Sequence, residues 1–279
     1  MRLGLDLAQH RMSFAELTSR ARFADEAGFD GIWGFDHYQP MYGSGPGECF
    51  EGNTTLAALT GRTNRVRLGL LVTGVTYRHP SVLAAEAITI DHASDGRLEL
   101  SLGAAWFEPE HRALGIPFPT TATRIEMLDE ALTIIKGLLT RDDFSFEGRH
   151  WTIRDATLLP RPVQRPHPPI WIGASGERRM LPLTARHADV WHTFGDAATI
   201  ARKTALLDRL AEEQGRDPAS IARAASLSLS EPWDEVRAAA EALAAAGVSY
   251  LVCGWPTEGR PRVEGFVEQL MPELRTLGV

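Results

Sequence analysis

The sequence predicts an α/β fold, a closed (β/α)8 TIM barrel with insertion segments. The chain has 279 residues, and a barrel of this kind uses about 250 residues as one domain. Short apolar runs rich in Leu, Ile and Val alternate with longer segments of helical periodicity, which is typical of a parallel sheet with crossover helices. Because there are about eight such runs, a closed barrel fits better than two open sheets, although a doubly wound fold shares the local pattern.

Predicted strands and helices alternate along the chain. The strands are predicted at residues 3–7, 31–35, 67–72, 98–102, 170–172, 190–193, 225–229 and 250–253. Ser13 and Glu16 form a capping box that opens the first helix, and Gly28 ends it. Thr123 and Glu126 form a second capping box, which opens a long helix towards residue 139. Further helices are predicted near residues 54–63, 81–93, 177–188, 199–214 and 236–246.

Two segments interrupt this alternation. Residues 144–153 predict a small antiparallel hairpin with its turn at Glu147 and Gly148. Five prolines between residues 160 and 169 predict an extended linker, which could divide two domains. Because the alternation of strand and helix resumes at residue 170, we expect residues 1–279 to form a single domain.

The composition excludes several classes of protein. The chain has 29 basic and 36 acidic residues, and its net charge of −7 argues against a nucleic-acid partner or an anionic membrane surface. Cys49 and Cys253 are too few for a disulfide framework, and the nine histidines offer no set of metal ligands, so no metal is predicted. Without an apolar run of about 20 residues or a signal pattern, the sequence predicts a soluble, cytoplasmic protein.

Residues that follow the strands are the candidate functional residues, because the active site of a parallel barrel lies at the carboxyl ends of its strands. Asp36 and His37 follow the second strand. The carboxylate could orient the imidazole, or Asp36 could cap a turn beside a solvated His37. Arg78, beyond the third strand, could bind an anion, but the residues alone favour a structural salt bridge.

The segment after the fifth strand carries the clearest binding signal. It contains Gly173, Ala174, Ser175, Gly176, Glu177, Arg178 and Arg179. Amide groups at a helix N-terminus favour an anion, most naturally phosphate. The alternative is a tight turn in which Glu177 is a favourable acid in the first helical turn. The glycine pattern matches neither the dinucleotide fingerprint nor the nucleoside triphosphate loop.

Loop acids and aromatic residues are weaker candidates. Any of Glu48, Glu51, Glu108, Glu110 and His111 could supply a general acid, but such loop residues are usually solvated. The aromatic candidates are Trp33, Trp106, Trp171, Trp191, Trp255, Phe35 and Tyr38. We expect most of them in the core, with a subset available to line an aromatic cofactor.

Taken together, these segments resemble the luciferase-like monooxygenase superfamily, in particular its members that use the deazaflavin coenzyme F420. The resemblance lies in residues 27–33 with Asp36 and His37, residues 67–69 through 76–80, residues 95–100 through 103–111, and residues 169–173 through 176–177. It implies a luciferase-like (β/α)8 barrel with the coenzyme across the carboxyl mouth. Relatives are commonly dimeric, so the resemblance also implies a possible homodimer.

The resemblance implies a set of cofactor-binding residues: Asp36, His37, Leu71, Val72, Thr73, Gly74, Gly103, Ala104, Ala105, Trp106, Gly173, Ala174, Ser175 and Gly176. Asp36 and His37 would lie beside the deazaflavin ring, and residues 71–72 would carry a non-prolyl cis peptide bond against it. The turn at 103–106 would cover the cofactor, and Ser175 and Gly176 would contact its phosphate.

Two positions depart from the relatives. Trp106 stands where sugar-phosphate dehydrogenases of the superfamily place a catalytic glutamate, so a sugar-phosphate alcohol is not expected as the substrate. Ala174 stands where a second glycine is common, which would tighten the loop.

The function that the resemblance implies is hydride transfer between coenzyme F420 and a small organic substrate. His37 would be the proton donor, with Asp36 fixing its tautomer or raising its basicity. The loops at 39–52 and 107–121 would shape the substrate pocket. One alternative is an FMN-dependent two-component monooxygenase. The other is a non-catalytic flavin- or deazaflavin-binding protein.

Overall fold

The computed structural model describes residues 1–278, in which the chain forms eleven strands. They are β1 (Arg2–Asp6), β2 (Gly31–Gly34), β3 (Arg67–Leu70), β4 (Thr73–Gly74), β5 (Leu98–Gly103), β6 (Phe144–Glu147), β7 (Thr152–Ala156), β8 (Ile170–Gly173), β9 (Val190–Thr193), β10 (Ala222–Leu227) and β11 (Tyr250–Gly254). The eight predicted barrel strands are all present, as β1, β2, β3, β5 and β8 to β11. The seventh begins and ends a few residues earlier than predicted.

The eight long strands close into a parallel barrel. Their order is β3, β2, β1, β11, β10, β9, β8 and β5, and β5 pairs again with β3 through Leu68 opposite Leu98. The closed (β/α)8 barrel predicted from the sequence is therefore confirmed. The predicted third strand stops at Leu70. After two intervening residues the chain pairs with β5 as β4, with Gly74 opposite Gly103.

Ten helices surround the barrel within residues 1–278. They are α1 (Phe14–Glu26), α2 (Gly52–Thr60), α3 (Pro80–Ala93), α4 (Glu108–Leu114), α5 (Thr121–Thr140), α6 (Met180–His187), α7 (Ala197–Glu213), α8 (Trp233–Ala245), α9 (Arg260–Gln269) and α10 (Met271–Leu274), with a short 3-10 turn at Pro218–Ser220. In α5 the buried residues Leu128, Leu132, Ile135 and Leu139 recur at helical spacing and cover the barrel.

The helix starts agree only partly with the predicted caps. Ser13 accepts a hydrogen bond from the Glu16 N–H at 3.1 Å, but the Glu16 carboxylate pairs with Arg20 instead of completing the box. The second predicted box is wrong, because α5 begins earlier, and Thr120 accepts from the Thr123 N–H at 3.2 Å. Thr120 has an extended backbone directly after a proline, which brings its hydroxyl towards that N–H.

The predicted hairpin is confirmed, but its turn lies later than predicted, because Glu147 still belongs to β6 and pairs with Thr152. Strands β6 and β7 pair antiparallel, with Phe146 opposite Ile153. The chain turns between Gly148 and Trp151, and there the Glu130 carboxylate of α5 accepts from the N–H groups of Arg149 and His150 at 2.7 and 3.0 Å. The insertion is thereby fixed to the outside of the barrel.

Aromatic side chains fill the barrel interior. The rings of Trp33 and Trp171 have centroids 4.1 Å apart, and Tyr250 packs beside both of them. Gly69 makes room for this cluster, because a Cβ atom there would collide with the Trp33 ring. Trp171 donates to the buried Glu99 carboxylate at 2.6 Å. These side chains fill the interior of the barrel, so any large ligand must bind nearer the carboxyl ends of the strands.

Candidate active site

A cavity of about 440 Å³ opens at the carboxyl ends of the strands. Twelve of the fourteen residues predicted to bind a cofactor line it: Asp36, His37, Leu71, Val72, Gly74, Gly103, Ala104, Ala105, Trp106, Gly173, Ala174 and Ser175. The other two adjoin it, with Thr73 buried in β4 and Gly176 exposed in the loop after Ser175. Four segments that are distant in sequence therefore meet at one mouth, as parallel strands require.

The back of the cavity is a smooth apolar wall. The peptide bond between Leu71 and Val72 is cis, as the resemblance implies. The Val72 side chain packs between two glycines: a Cβ atom on Gly103 would lie 2.6 Å from Val72 Cγ2, and one on Gly173 would lie 3.1 Å from it. Glycine at both positions is what lets β5 and β8 approach the 71–72 segment this closely.

Asp36 does not contact His37, so its predicted role as the orienting partner of His37 is wrong. It accepts two hydrogen bonds from Arg78, at 2.7 and 2.9 Å, and a third from the Gly74 N–H at 3.0 Å. At the end of an extended strand, neighbouring side chains point to opposite sides, which separates these two residues. Arg78 makes a structural salt bridge, which is the role that the sequence favoured for it.

The Asp36–Arg78 pair is buried and belongs to a larger charge cluster. Arg78 also pairs with Glu51, and Glu86 lies 3.4 Å from its Nε. Burial raises the pKa of Asp36, whereas the Arg78 guanidinium and the Gly74 N–H oppose that rise. Desolvation disfavours the charged form of Arg78, but its carboxylate partners, Asp36 first, outweigh it and raise the pKa of Arg78. The cluster ties the end of β2 to β4 and to the starts of α2 and α3.

Glu110 is the residue that contacts His37. Its Oε2 lies 3.0 Å from His37 Nδ1, and its Oε1 accepts from the Tyr38 N–H at 2.7 Å. Glu110 is fully buried, so the expectation that it is a solvated loop acid is wrong. Pro109 in the sequence signals the first turn of a helix, but only the packing of α4 turns Glu110 inward.

His192 on β9 is a cavity residue that the sequence reasoning missed. It is buried, and its Nε2 lies 3.3 Å from the Ser226 hydroxyl, while Nδ1 makes no hydrogen bond within residues 1–278. Burial lowers the pKa of His192 to about 4, so the ring is neutral near pH 7. The sequence did contain a signal for His192, because it lies two residues after Val190 on the same strand. Both side chains point into the barrel, and His192 lies nearer the mouth.

The loop from Gly173 to α6 presents free backbone donors. The Ala174 N–H donates to the His192 carbonyl at 3.0 Å, and Trp191 Nε1 donates to the Ala174 carbonyl at 2.9 Å. Within residues 1–278, the N–H groups of residues 175–178 donate to no protein acceptor. The helix starts at Met180 and not near Glu177 as predicted, and Glu177 pairs with Arg202 at 2.8 Å. The loop between strand and helix is therefore longer than expected and offers several donors.

The remaining candidates divide between core and surface. Glu48 and Glu108 are exposed, whereas His111 is buried with its Nε2 2.6 Å from the Thr76 hydroxyl. The expectation that most strand aromatics are in the core is confirmed for Trp33, Trp171 and Trp191. Trp106 differs from them and stands exposed at the mouth. Within residues 1–278, no group of three or more His, Cys, Asp or Glu side chains is placed to hold a metal, and no helix is long and apolar enough to span a membrane.

Sequence comparison identifies relatives of this chain. An F420-dependent glucose-6-phosphate dehydrogenase of Kineococcus radiotolerans is 30% identical over 242 residues, which are 85% of this chain and 70% of that protein. Another, of Microbacterium testaceum, is 35% identical over 63% of this chain and 52% of its own length. An FMNH2-dependent dimethylsulfone monooxygenase of Pseudomonas putida is 30% identical over 63% of this chain and 48% of that protein. In the last two alignments, the chain spans about half the length of the curated relative.

Solved structures share the fold. An F420-dependent secondary alcohol dehydrogenase in complex with an F420–acetone adduct superposes with a TM-score of 0.85 over 98% of this chain and 99% of that one, at 18% identity. The sequence profile of the luciferase-like monooxygenases matches residues 1–271. With relatives among both F420-dependent oxidoreductases and FMN-dependent monooxygenases, the chain belongs to the luciferase-like monooxygenase family of enzymes.

Proposed function

We propose that this protein is an oxidoreductase that transfers a hydride between coenzyme F420 and a small organic substrate. One observation carries the proposal: the apolar wall at Val72, the His37–Glu110 pair and the free amide groups after Ala174 belong to the same mouth of the barrel. A flat ring can lie on the apolar wall, its phosphate can bind the amide groups, and the histidine can exchange a proton with a substrate beside the ring. The F420-dependent relatives support the same assignment.

The residues present fit such a cofactor. Val72, held between Gly103 and Gly173, offers a smooth surface against which a tricyclic ring could lie. The N–H groups of Ser175 and Gly176 could hold the phosphate, because amide donors near a helix N-terminus favour anions. The cavity volume of about 440 Å³ is within the range of small-molecule sites. When bound, the deazaflavin supplies or accepts two electrons as a hydride and does not readily activate oxygen.

His37 is the residue that we propose exchanges a proton with the substrate. Its Nδ1 lies against the Glu110 carboxylate, which directs an Nδ1–H to that oxygen and leaves Nε2 to face the cavity. On reduction of the substrate, a His37 ring protonated on both nitrogens would deliver its Nε2 proton and keep the Nδ1–H, and on oxidation a ring with a free Nε2 would accept a proton there. Glu110 is the positioning residue, because the carboxylate is itself fixed by the Tyr38 N–H. Asp36, held by Arg78 and the Gly74 N–H, fixes the segment next to His37.

FMN-dependent monooxygenation is the second candidate. The FMNH2-dependent relative from Pseudomonas putida favours it, and the free amide groups near Ser175 would suit the phosphate of FMN equally well. The two cofactors differ in chemistry, since reduced FMN reacts with oxygen. Cofactor preference therefore separates the two functions without knowledge of the substrate.

The test is a titration of the purified protein with F420 and FMN, oxidised and reduced, followed by absorbance and oxygen uptake. We expect F420 to bind more tightly and the reduced complex to consume no oxygen. Preferential binding of FMN with oxygen uptake would replace the proposal with the monooxygenase. Tight binding of either cofactor, without turnover of a panel of enones, imines and alcohols, would favour a non-catalytic binding protein.

Two variants test the residues within this experiment. His37→Ala should lower turnover far more than F420 affinity, whereas His92→Ala, on the outer surface, should change neither. Ser175→Asp places a negative charge beside the free amide groups and should weaken F420 binding. It should leave unaffected the binding of the ribityl deazaflavin, which is the part of F420 without the phosphate. Equal loss of both forms would remove Ser175 from the phosphate site.

We further propose that residues 1–279 act as one domain and that two copies pair as a homodimer. The support is the resemblance to relatives that are commonly dimeric. Light scattering after size-exclusion chromatography tests this, and a mass equal to the 30.7 kDa chain would contradict the dimer.

A further inference from the structure

Three large aromatic side chains stand exposed around the cavity. Tyr42, Trp106 and Phe194 are 70%, 67% and 66% exposed, and all three line the same opening. They account for most of the strongly exposed large apolar side chains within residues 1–278. A cluster of this kind around one opening marks a ligand contact, because monomeric surfaces seldom gather large apolar groups without a partner.

One of these aromatics is close to the proposed proton donor. The Trp106 and His37 rings have centroids 6.0 Å apart and are nearly perpendicular, at 78°. A flat molecule that packs against the indole would therefore bring its own substituents near the imidazole. Aromatic faces gain most from offset or edge contacts with other flat rings. The rim thus selects for a flat, apolar molecule.

The charges beside His37 and Trp106, on the part of the cavity away from the free amide groups, select against an anionic substrate. Among the residues that the structure describes, no Lys or Arg lines the cavity. Two arginines next to the lining are already engaged: Arg78 pairs with Asp36, Glu51 and Glu86, and Arg124 donates to the carbonyl groups of Ala104 and Pro119. The buried Glu110 carboxylate stands directly behind His37. An anionic substrate placed beside His37 and Glu110 would lose its hydration without gaining a cation, which is costly.

We propose that the cavity binds a neutral substrate with a flat apolar or aromatic ring, held against Trp106, whose carbonyl oxygen accepts a hydrogen bond from the Nε2–H of a His37 ring protonated on both nitrogens. This rests on the proposed function only for the reaction that follows binding. The amide groups after Ala174 remain available for the phosphate of the cofactor, at a different part of the mouth. The specificity determinant is Trp106, supported by the absence of a basic residue from the lining.

The test compares two probes of nearly the same shape, 4-methylacetophenone, which is neutral, and 4-acetylbenzoate, which is an anion. Calorimetric titration of the protein, with and without F420, gives the affinity of each probe directly. We expect the neutral probe to bind about tenfold more tightly or better, because the anion is desolvated without a partner. Equal affinity for both probes, or preference for the anion, would overturn the proposal.

Variants at the rim make the test specific. Trp106→Ala should weaken the neutral probe by about tenfold in the protein without F420, and should weaken the probe more than it weakens F420. Leu159→Ala, which truncates an equally exposed apolar side chain outside the cavity, should alter neither. Trp106→Lys supplies the missing cation and should reverse the preference in favour of 4-acetylbenzoate. A Trp106→Ala protein that loses F420 and the probe together would assign the indole to the cofactor and reject the inference.

The outcomes also separate this inference from the proposed function. Selective binding of the neutral probe by a protein that binds no F420 would contradict the proposed function and keep the inference. Tight F420 binding with no preference between the probes would contradict the inference and keep the proposed function. Because Trp106 is largely exposed, its variants should keep the fold, and a thermal melt checks that they do.

Discussion

Glu110 Oε2 lies 3.0 Å from His37 Nδ1, although 73 residues separate the two in the chain. The carboxylate is fully buried and also accepts the Tyr38 N–H. The orientation of the Glu110 carboxylate is therefore set by the backbone N–H of Tyr38, the residue that follows His37. This arrangement puts Glu110, and not Asp36, beside the imidazole of His37. In the proposed function, Glu110 therefore takes the positioning role that the sequence suggested for Asp36.

Replacing Glu110 with Gln should lower turnover by roughly 100-fold, because the amide can still accept from Tyr38 but cannot hold His37 in the same tautomer. The F420 affinity should be unchanged, since Glu110 lies behind His37. Glu108→Gln, on the exposed side of the same helix, is the matched control. Nitrogen NMR of the His37 ring should report a changed tautomer in Glu110→Gln alone. Full turnover in that variant would contradict a positioning role.

Replacing Arg78 with Met should destabilise the protein by about 3–5 kcal/mol, because it leaves the buried Asp36 carboxylate without its partner. The double variant Asp36→Asn with Arg78→Met should recover part of that loss. Arg149→Met, which removes an ion pair with a 76% exposed arginine, should cost only about 0–1 kcal/mol. Urea denaturation measures all three, and equal costs at residues 78 and 149 would show that burial does not decide the outcome.

Replacing Gly103 with Ala should destabilise the protein by about 1–3 kcal/mol, because the new Cβ atom would lie 2.6 Å from Val72 Cγ2. Val72→Ala in the same chain should relieve the contact and restore most of the stability. Gly61→Ala is the control, since no atom lies within 4 Å of its Cβ position and its φ is −84°. If Val72→Ala does not rescue Gly103→Ala in a thermal melt, Val72 is not the residue that requires glycine there.

His192 should make the protein less stable as the pH falls from about 6.5 to about 4. Its pKa is lowered from 6.5 to about 4 by burial, so in this window the unfolded chain binds a proton that the folded chain does not. Stability therefore falls with falling pH, by at most about 3 kcal/mol, and the loss is complete below the folded pKa. His192→Asn should lack this component and His92→Asn should keep it. Parallel stability curves for the wild type and His192→Asn would contradict it.

Much of the fold is readable from the sequence because its signals are local. Each strand of the barrel is a short apolar run, and the hairpin at Phe144–Glu147 and Thr152–Ala156 follows from alternation around a glycine turn. The meeting of Asp36, Gly103 and Ser175 at one mouth also follows, since parallel strands end at the same side. The exact starts of α5 and α6 do not follow, because neighbouring hydroxyl and glycine residues offer several competing starts.

The sequence by itself determined the barrel, the family and the segments that form the mouth, because hydrophobic periodicity and short motifs act over a few residues. Only the tertiary structure decided which side chains meet there: Asp36 with Arg78, His37 with Glu110, and His192 at the cavity. A strand reverses the direction of its side chains at every residue, and contacts across the mouth depend on the register of strands far apart in the chain. Tertiary packing therefore decides which side chains contact each other at the mouth, and local sequence patterns do not contain that information.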